Sequence, residues 1–428
     1  MFARDRFRTQ EQELAGLQLA RLQTTVACLY VRSPYYRQKL DRQGVRPEHI
    51  RTLEDIRLLP FTDKEELREN YPFGLMAAPE EEIVRIHASS GTTGKKTVTG
   101  YTRRDIDDWA NMMARCLAMA GVTPADRVQI TPGFGLWTAG VGFQLGVERL
   151  GAMAIPVGPV PVEQQLEAMV DFGATVVIGT SSYGLLLGEE IQRRGLRDQL
   201  RLRVGIFGSE RWSDKMRGRI EELLGVETFD IIGMTELYGP GIGLDCRYHQ
   251  GIHYWAEHFI FEIIDSVTGE PCAPGETGEL AATTLTREGM PLLRYRTRDI
   301  TRLRPGPCSC GQNYPRIDRI LGRTDDMIKF RGVNIYPGQI DHVLSGFDGV
   351  GSEYLIYLDR VGGKDSMEVR VEAVPDSGRD RGQMAGELIE QVKNRIGVTV
   401  QVQILDYGQL PRSAKKSKRV VDTREAGL

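Results

Sequence analysis

The chain has 428 residues, room for two or three domains at about 150 residues each and for a sizeable core that needs no disulfide or metal staple to fold. Lys and Arg number 55 against 58 Asp and Glu, and the resulting net charge of −3 removes the electrostatic reason to expect a nucleic-acid or anionic-membrane partner. Apolar content of 41% and charged content of 26% are those of a globular protein, and no run reaches the roughly 18 consecutive apolar residues of a membrane-spanning helix. The opening MFARDRFRTQEQEL carries charges where a secretory signal would have its apolar core, and six cysteines are too sparse for a disulfide scaffold. A cytoplasmic, reducing setting is expected.

The first 45 residues carry a long helical pattern, with Leu14, Leu17, Leu19, Leu22 and Val26 toward one face. Thr62-Asp63 followed by Glu65 and Glu66 reads as a capped helix start. From residue 103 onward, short Val/Ile runs alternate with amphipathic segments: helices over 103–120, 138–150, 163–172, 181–194 and 213–224, separated by the strands RVQITP, AMAIPV, ATVVIGT and LRVGIFG. That alternation is the signature of βαβ units and a buried parallel sheet, so the class is α/β. After about 255 strands and turns take over, from HFIFEIID into the Gly/Pro-rich GEPCAPGETGELAATTL. A small α+β section follows, with helices near 337–347 and 383–395 and strands near 353–358, 367–374 and VQVQIL. The expected organisation is a large domain over 1–323 with parallel βαβ sheets and a β-rich subdomain, a hinge at 324–326, and a small mobile domain over 327–428.

Ser89-Ser90-Gly91-Thr92-Thr93-Gly94-Lys95-Lys96-Thr97 follows RIHA, a possible strand, and is the most informative stretch. Glycines let successive backbone N–H groups converge on phosphate oxygens, hydroxyls add donors, and lysine adds a mobile positive charge. Ser89 stands where a Walker A loop requires glycine, which argues against a P-loop phosphotransferase. A plain Ser/Thr/Gly surface turn is the competing reading.

SSGTTGKKTVTGYTRRDI closely resembles the phosphate-binding loop of adenylate-forming enzymes, in the phenylacetate–coenzyme A ligase branch. Further segments match in order: GSERW at 208–212, DIIGMTELYGPG at 230–241, RYRTRD at 294–299, GRTDDMIKFRGVNIYP at 322–337 and LPRSAKKSKRVVD at 410–422. The resemblance implies a two-step reaction. A carboxylate attacks the α-phosphate of ATP to give acyl-AMP and pyrophosphate, and the thiol of CoA then displaces AMP. It assigns nucleotide contacts to Ser89–Lys95, to Gly208, Ser209 and Glu210 beside adenine, to Asp230 and Gly233, to Asp299 on the ribose and to Arg323. Thr235 and Glu236 match the phosphate and Mg²⁺ contacts, a hydroxyl donor beside a hard-oxygen ligand. A salt bridge to Arg294, Arg296 or Arg298 is the bland alternative for Asp299.

In the family a Gly-Lys pair follows Pro-Arg-Ser, and that lysine grips the carboxylate and α-phosphate. Here the dipeptide is Lys415-Lys416, so Lys416 is the catalytic candidate, Lys415 a possible second contact, and a solvated basic tail over 411–419 the alternative. Asp325 matches the hinge. PGFGLWTAG follows a strand at the carboxyl edge of the sheet. Phe134 and Trp137 are placed to flank an aryl ring, with Gly135, Ala139 and Gly140 leaving room and Tyr238 and Pro240 as weaker candidates; aromatics filling the core are the alternative.

Cys28 and Cys116 lie among apolar helical residues and are expected core thiols, and Cys272, in GEPCAPGE, an exposed turn residue. Cys308-Ser309-Cys310 in a Pro/Gly turn looks like half a zinc knuckle, and His249, His253 and His258 all follow Cys246 within a dozen residues. Thiolates with imidazole suit tetrahedral Zn²⁺, and some members of this branch have such a site. Cys246, His253, Cys308 and Cys310 are the expected ligands, with His258 or His249 as substitutes for His253, and His258 otherwise structural or pocket-lining.

The expected activity is that of an aryl-acid–CoA ligase, with ATP, Mg²⁺ and CoA required, a structural zinc ion, and a homodimer implied by the resemblance. The alternatives are loading of the acid onto a separate carrier protein's phosphopantetheine and a catalytically silent nucleotide-binding homologue.

Overall fold

The computed structural model describes residues 11–89, 96–361, 364–375, 377–412 and 419–424. Contacts divide them into two compact units, drawn respectively from 1–179, 199–208 and 229–319, and from 180–198, 209–228 and 320–428.

In the first unit the initial helical pattern is two helices, α1 (Glu11–Arg32) and α2 (Pro34–Arg42). The break has a local cause. Ser33 is in extended backbone and its side chain accepts from the N–H of Tyr36, while Pro34, which has no N–H to offer, takes the first helical position. α3 (Lys64–Glu69) starts at the capping box read from the sequence: Asp63 accepts from Glu66 N–H at 3.0 Å, and Glu66 from Asp63 N–H at 2.9 Å.

The hairpin β1 (Arg85–Ala88) and β2 (Val98–Tyr101) leads into α4 (Arg103–Met119), which buries Trp109, Met112, Met113, Cys116 and Leu117. Side chains of this size stabilise the fold by about 1.5–3 kcal/mol each when fully buried. β3 (Arg127–Ile130), α5 (Thr138–Leu150), β4 (Met153–Ile155), α6 (Val162–Asp171), β5 (Val176–Thr180), β6 (Val204–Gly208), β7 (Glu227–Met234), β8 (Gly239–Asp245) and β9 (Ile252–Tyr254) follow. With β13 (Leu303–Arg304) and β14 (Arg316–Ile317) they build a nine-stranded sheet ordered β13-β14-β9-β8-β7-β6-β5-β3-β4.

The βαβ text predicts a parallel sheet, and β3 does pair in parallel with β4 and β5. The sheet as a whole is mixed, because β7, β8, β9, β14 and β13 run antiparallel. Only four residues separate β7 from β8, too few for the crossover that parallel neighbours require. The β-rich part expected after residue 255 is an antiparallel run of β10 (Phe259–Ile264), β11 (Gly278–Thr284) and β12 (Tyr295–Thr301).

The second unit holds α7 (Ser181–Arg194), α8 (Asp214–Leu224), β15 (Gly322–Arg323), the hairpin β16 (Ile328–Phe330) and β17 (Val333–Ile335), and α9 (Pro337–Ser345). It continues through β18 (Val350–Val361), β19 (Lys364–Ala373), α10 (Arg381–Ile396), β20 (Gln401–Leu405) and β21 (Val420–Asp422), whose strands form a four-stranded sheet ordered β20-β19-β18-β21. Phe330, Ile340, Leu344, Ile356, Val369 and Leu388 form its core. Lys215 on α8 donates to the carbonyls of Leu344 at 3.1 Å, of Phe347, and of Val350 at 3.2 Å, which satisfies acceptors at and beyond the end of α9. Arg412 joins Glu189 (2.9 Å) to the deeply buried Glu372 (2.8 Å), and Arg419 pairs with Glu353 at 2.9 Å. These two arginines are interior partners, not parts of a solvated tail.

Among the thiols Cys116 is buried as expected, whereas Cys28 and Cys272 are both half-buried. No helix among the described residues is long and apolar enough to cross a membrane.

Candidate active site and metal centre

The glycine loop leaves the sheet between β1 and β2. Ser90, Gly91, Thr92, Thr93, Gly94 and Lys95 lie outside the described residues, but the base of the loop is defined. Ser89 N–H donates to Thr97 O at 2.9 Å, and Thr97 N–H donates to the Ser89 hydroxyl at 3.0 Å. This reciprocal pair pins the two ends of the loop together. Thr97, itself buried, then donates its hydroxyl to Glu236 Oε1 at 3.0 Å. Thr235, the adjacent residue, sits with its hydroxyl 3.4 Å from that of Thr138, the first residue of α5. Three segments distant in sequence therefore meet: the loop base, the Thr-Glu motif and the start of α5, which carries with it the loop before it.

The β7–β8 turn that carries Thr235 and Glu236 is shaped by a register break between Ile232 and Gly233, after which Gly233 faces Pro240. Asp230 is buried on β7, and its N–H donates to Asp245 at 2.6 Å. Gly208 ends β6, where a Cβ would lie 2.3 Å from the carbonyl oxygen of Ile231. Ser209 takes the left-handed conformation, with φ of 69°. Glu210 lies in the second unit, where it accepts from the hydroxyl of Ser181 (3.1 Å) and the N–H of Ser182 (2.6 Å), an acidic group on the N-terminus of α7.

Asp299 is buried on β12 beside a bulge: Ala281 faces Arg296 and Glu279 faces Ile300, so the strand carries two extra residues there, and Arg298 has φ of 67°. The arginines around it have carboxylates of their own, Arg294 with Glu262 at 3.0 Å and Arg296 with Glu279 at 2.6 Å. Arg323 is bidentate on Asp325, at 2.8 and 2.9 Å, within the second unit. Lys415 and Lys416 lie outside the described residues.

The candidate acid pocket is the loop between β3 and α5. Phe134 and Leu136 are exposed, Trp137 is half-buried and Ala139 is buried. Gly140 N–H donates to Gly133 O at 3.1 Å, and a Cβ on Gly140 would meet that oxygen at 2.7 Å, so the loop closes tightly on glycine. Tyr238 is fully buried, its hydroxyl 3.2 Å from Thr286, and Pro240 is half-buried with its carbonyl accepting from Trp109.

The four expected metal ligands converge. Cys246 Sγ, Cys308 Sγ, Cys310 Sγ and a ring nitrogen of His253 all lie within 4.8 Å of one another. Cys246 and Cys308 are 3.5 Å apart, and Cys310 is 3.4 Å from His253 Nε2. Tyr314 O lies 3.2 Å from His253 Nδ1, which fixes the ring and directs Nε2 at the thiols. Burial pushes His253 down to about 4, keeping the imidazole neutral as a metal ligand must be. The two substitutes are engaged elsewhere: His249 Nδ1 is 2.9 Å from Asp245 and His258 Nδ1 is 2.8 Å from Thr286.

Comparison with known proteins gives this geometry its context. The family described as AMP-binding enzyme C-terminal domain matches residues 332–424. A phenylacetate-coenzyme A ligase of Escherichia coli (strain K12) is 44% identical over 419 residues, 96% of this chain and 95% of the relative. The phenylacetate-coenzyme A ligase of Thermus thermophilus is 42% identical, over 97% of both chains. The chain belongs to the phenylacetate–coenzyme A ligase family. A solved 2-hydroxyisobutyryl-CoA ligase in the postadenylation state, in complex with 2-HIB-AMP, is 28% identical with a TM-score of 0.90, covering 100% of this chain and 94% of that one.

Within a family member's framework, two residues were missed by the sequence reading. Thr97 holds Glu236, and its signal was its place directly after the glycine-lysine run. Arg287 is buried with its guanidinium 3.8 Å from the ring centre of Tyr101 and 4.6 Å from that of Tyr238, donating to Thr99 at 2.7 Å. It braces the motif that carries Glu236, and nothing in TREGM marks it as interior.

Proposed function

We propose that this protein is an ATP-dependent aryl-acid–CoA ligase that takes phenylacetate or a close analogue, making acyl-AMP and pyrophosphate first and the CoA thioester and AMP second. The observation that carries the reading is the hydrogen bond from Thr97 to Glu236. It brings the base of a phosphate-type loop against a carboxylate suited to hold Mg²⁺, the pairing that attack on an α-phosphate requires. Bound there, Mg²⁺ would shield charge on the phosphates. Thr235 would donate to the α-phosphate, Asp299 would accept from the ribose hydroxyls, Gly208–Glu210 would pass beside adenine, and Asp230 and Gly233 would shape the nucleotide pocket. Lys416 would grip the carboxylate and α-phosphate in the first step, and Arg323 would approach ribose or phosphate. The domain organisation proposed is 1–323 and 327–428 joined by a hinge at Asp325. Phe134, Gly135, Trp137, Ala139 and Gly140 would receive the aryl ring, with Tyr238 and Pro240 behind them. Identities above 40% to phenylacetate-coenzyme A ligases, against 28% to the hydroxyacid enzyme, favour an aryl acid.

Cys246, His253, Cys308 and Cys310 are proposed to hold a structural Zn²⁺. Three thiols and a neutral imidazole are a suitable donor set, and separations of 3.4 and 3.5 Å fit ligands about 2.0–2.3 Å from one ion. When bound, the ion would tie the turn at 308–310 to β9. The proposed setting is a cytoplasmic homodimer, which rests on the sparse cysteines and the family resemblance.

The test is a reconstitution with ATP, Mg²⁺, CoA and a panel of phenylacetate, benzoate and 2-hydroxyisobutyrate, reading AMP, pyrophosphate and thioester. AMP with phenylacetyl-CoA is the expected outcome. Release of ADP would overturn the chemistry, and a thioester formed only on a phosphopantetheinylated carrier protein would overturn CoA as the acceptor. Metal analysis is expected to find about one zinc per chain.

A further inference from the structure

One buried titratable side chain lies between the candidate phosphate loop and the candidate acid pocket without a role in either. His87 is on β1, two residues before Ser89, and is 2% exposed. Its Nδ1 lies 3.1 Å from the carbonyl oxygen of Leu136, and Ala88 N–H donates to the same oxygen at 2.8 Å. The ring packs edge-on against Tyr101 and Trp109, with centroids 5.3 and 5.7 Å away. Burial above all lowers its pKa, against the opposing hydrogen bond to Leu136 and with the help of Arg85 and Arg287, which favours the neutral imidazole. A neutral ring that donates from Nδ1 has only a lone pair at Nε2, and that atom is buried with no hydrogen-bond partner among the described residues. An apolar ring or aliphatic chain would fill the same space without stranding a polar atom. Among the described residues the feature that calls for histidine here is the bond to Leu136.

That bond matters because of what Leu136 belongs to. Residues 134–136 are exposed, and Gly135 is at φ of 102°, a loop with little packing of its own. Two donors from β1 converge on its Leu136 carbonyl, and Gly140 closes its far end on Gly133. We infer that His87 is a positioning residue for acid selection: through Leu136 O it holds Phe134–Trp137 against the strand that enters the phosphate loop. The inference rests on the reading of 134–140 as the acid pocket.

The experiment uses the full chain with His87→Leu, His87→Asn and His87→Gln. Asparagine places an amide N–H near the position of Nδ1; glutamine places it nearer Nε2. Pyrophosphate release is measured with phenylacetate and with acetate, and KM for ATP is measured separately. The expected result for His87→Leu and His87→Gln is a KM for phenylacetate raised about five- to tenfold, the loss of one net hydrogen bond, with KM for ATP changed less than about twofold. The preference for phenylacetate over acetate should shrink, and His87→Asn should recover most of it. Equal losses for both acids, an asparagine variant as impaired as the glutamine one, or unchanged KM values would overturn the inference. Phe134→Ala separates the two readings. If it leaves KM for phenylacetate unchanged, the pocket assignment fails. If it raises that KM while His87→Gln is silent, only the role of His87 fails.

Discussion

Among the described residues the Thr97 hydroxyl is the hydrogen-bond donor to Glu236, which makes the pair a sensitive probe of the site. Glu236→Gln keeps the shape and the hydrogen-bond acceptor but removes the charge that would hold Mg²⁺. We expect pyrophosphate formation to fall by about 10²–10³ while the melting temperature is unchanged, as when one preorganised electrostatic contact is lost. A melting temperature that falls with the activity would assign the residue to stability. Lys416 belongs to the same scale but lies outside the described residues. Lys416→Ala should abolish adenylation and still convert synthetic phenylacetyl-AMP to the thioester; equal loss of both half-reactions would contradict its role. Legibility at this scale depended on chemistry that is local in sequence. Thr235, Glu236 and Asp299 stand inside motifs, so the sequence offers them as candidates. Arg287 was not, since its significance is two aromatic rings brought from residues 101 and 238.

At the scale of elements, boundaries follow side chains that satisfy backbone groups close at hand, such as Ser33 before α2 and Asp63 before α3. Glycine at the end of β6 has a different cause. Gly208→Ala would push a methyl to 2.3 Å from the carbonyl of Ile231, an atom that the sheet holds in place. Overpacking of this kind costs about 1–3 kcal/mol, to be read as a lowered denaturation midpoint. An unchanged midpoint would show that β6 and β7 can separate cheaply. Arg412 gives the opposite case, a loss of charge. Arg412→Met would leave Glu189 and Glu372, one of them nearly inaccessible, without their shared countercharge, at about 3–5 kcal/mol. Double substitution with Glu372→Gln should recover part of that loss. From the sequence this arginine read as one of five basic residues near the terminus, and only its acidic neighbours from residues 189 and 372 make it interior.

For the molecule as a whole, acid sensitivity follows from its buried histidines. Burial pushes His258 down to about 4 from the ordinary 6.5. Its folded-state pKa is below the unfolded one, so the unfolded chain binds the extra proton between pH 4 and 6.5. The stabilisation is complete above 6.5 and is lost as pH falls toward 4, a few kcal/mol in all. His258→Gln should flatten the stability profile across that window; an unaltered slope would place the titration elsewhere. The sequence by itself determined the α/β alternation, most helix bounds, the family and the motif positions, because periodicity, caps and glycine-lysine chemistry are written within a few residues. Tertiary structure decided that the sheet is mixed, that the Thr97 hydroxyl reaches Glu236, and that His253 rather than His249 or His258 faces the three thiols. Each of those choices depends on distances between segments far apart in the chain, set by strand register and by packing, and neither is a property of any local stretch.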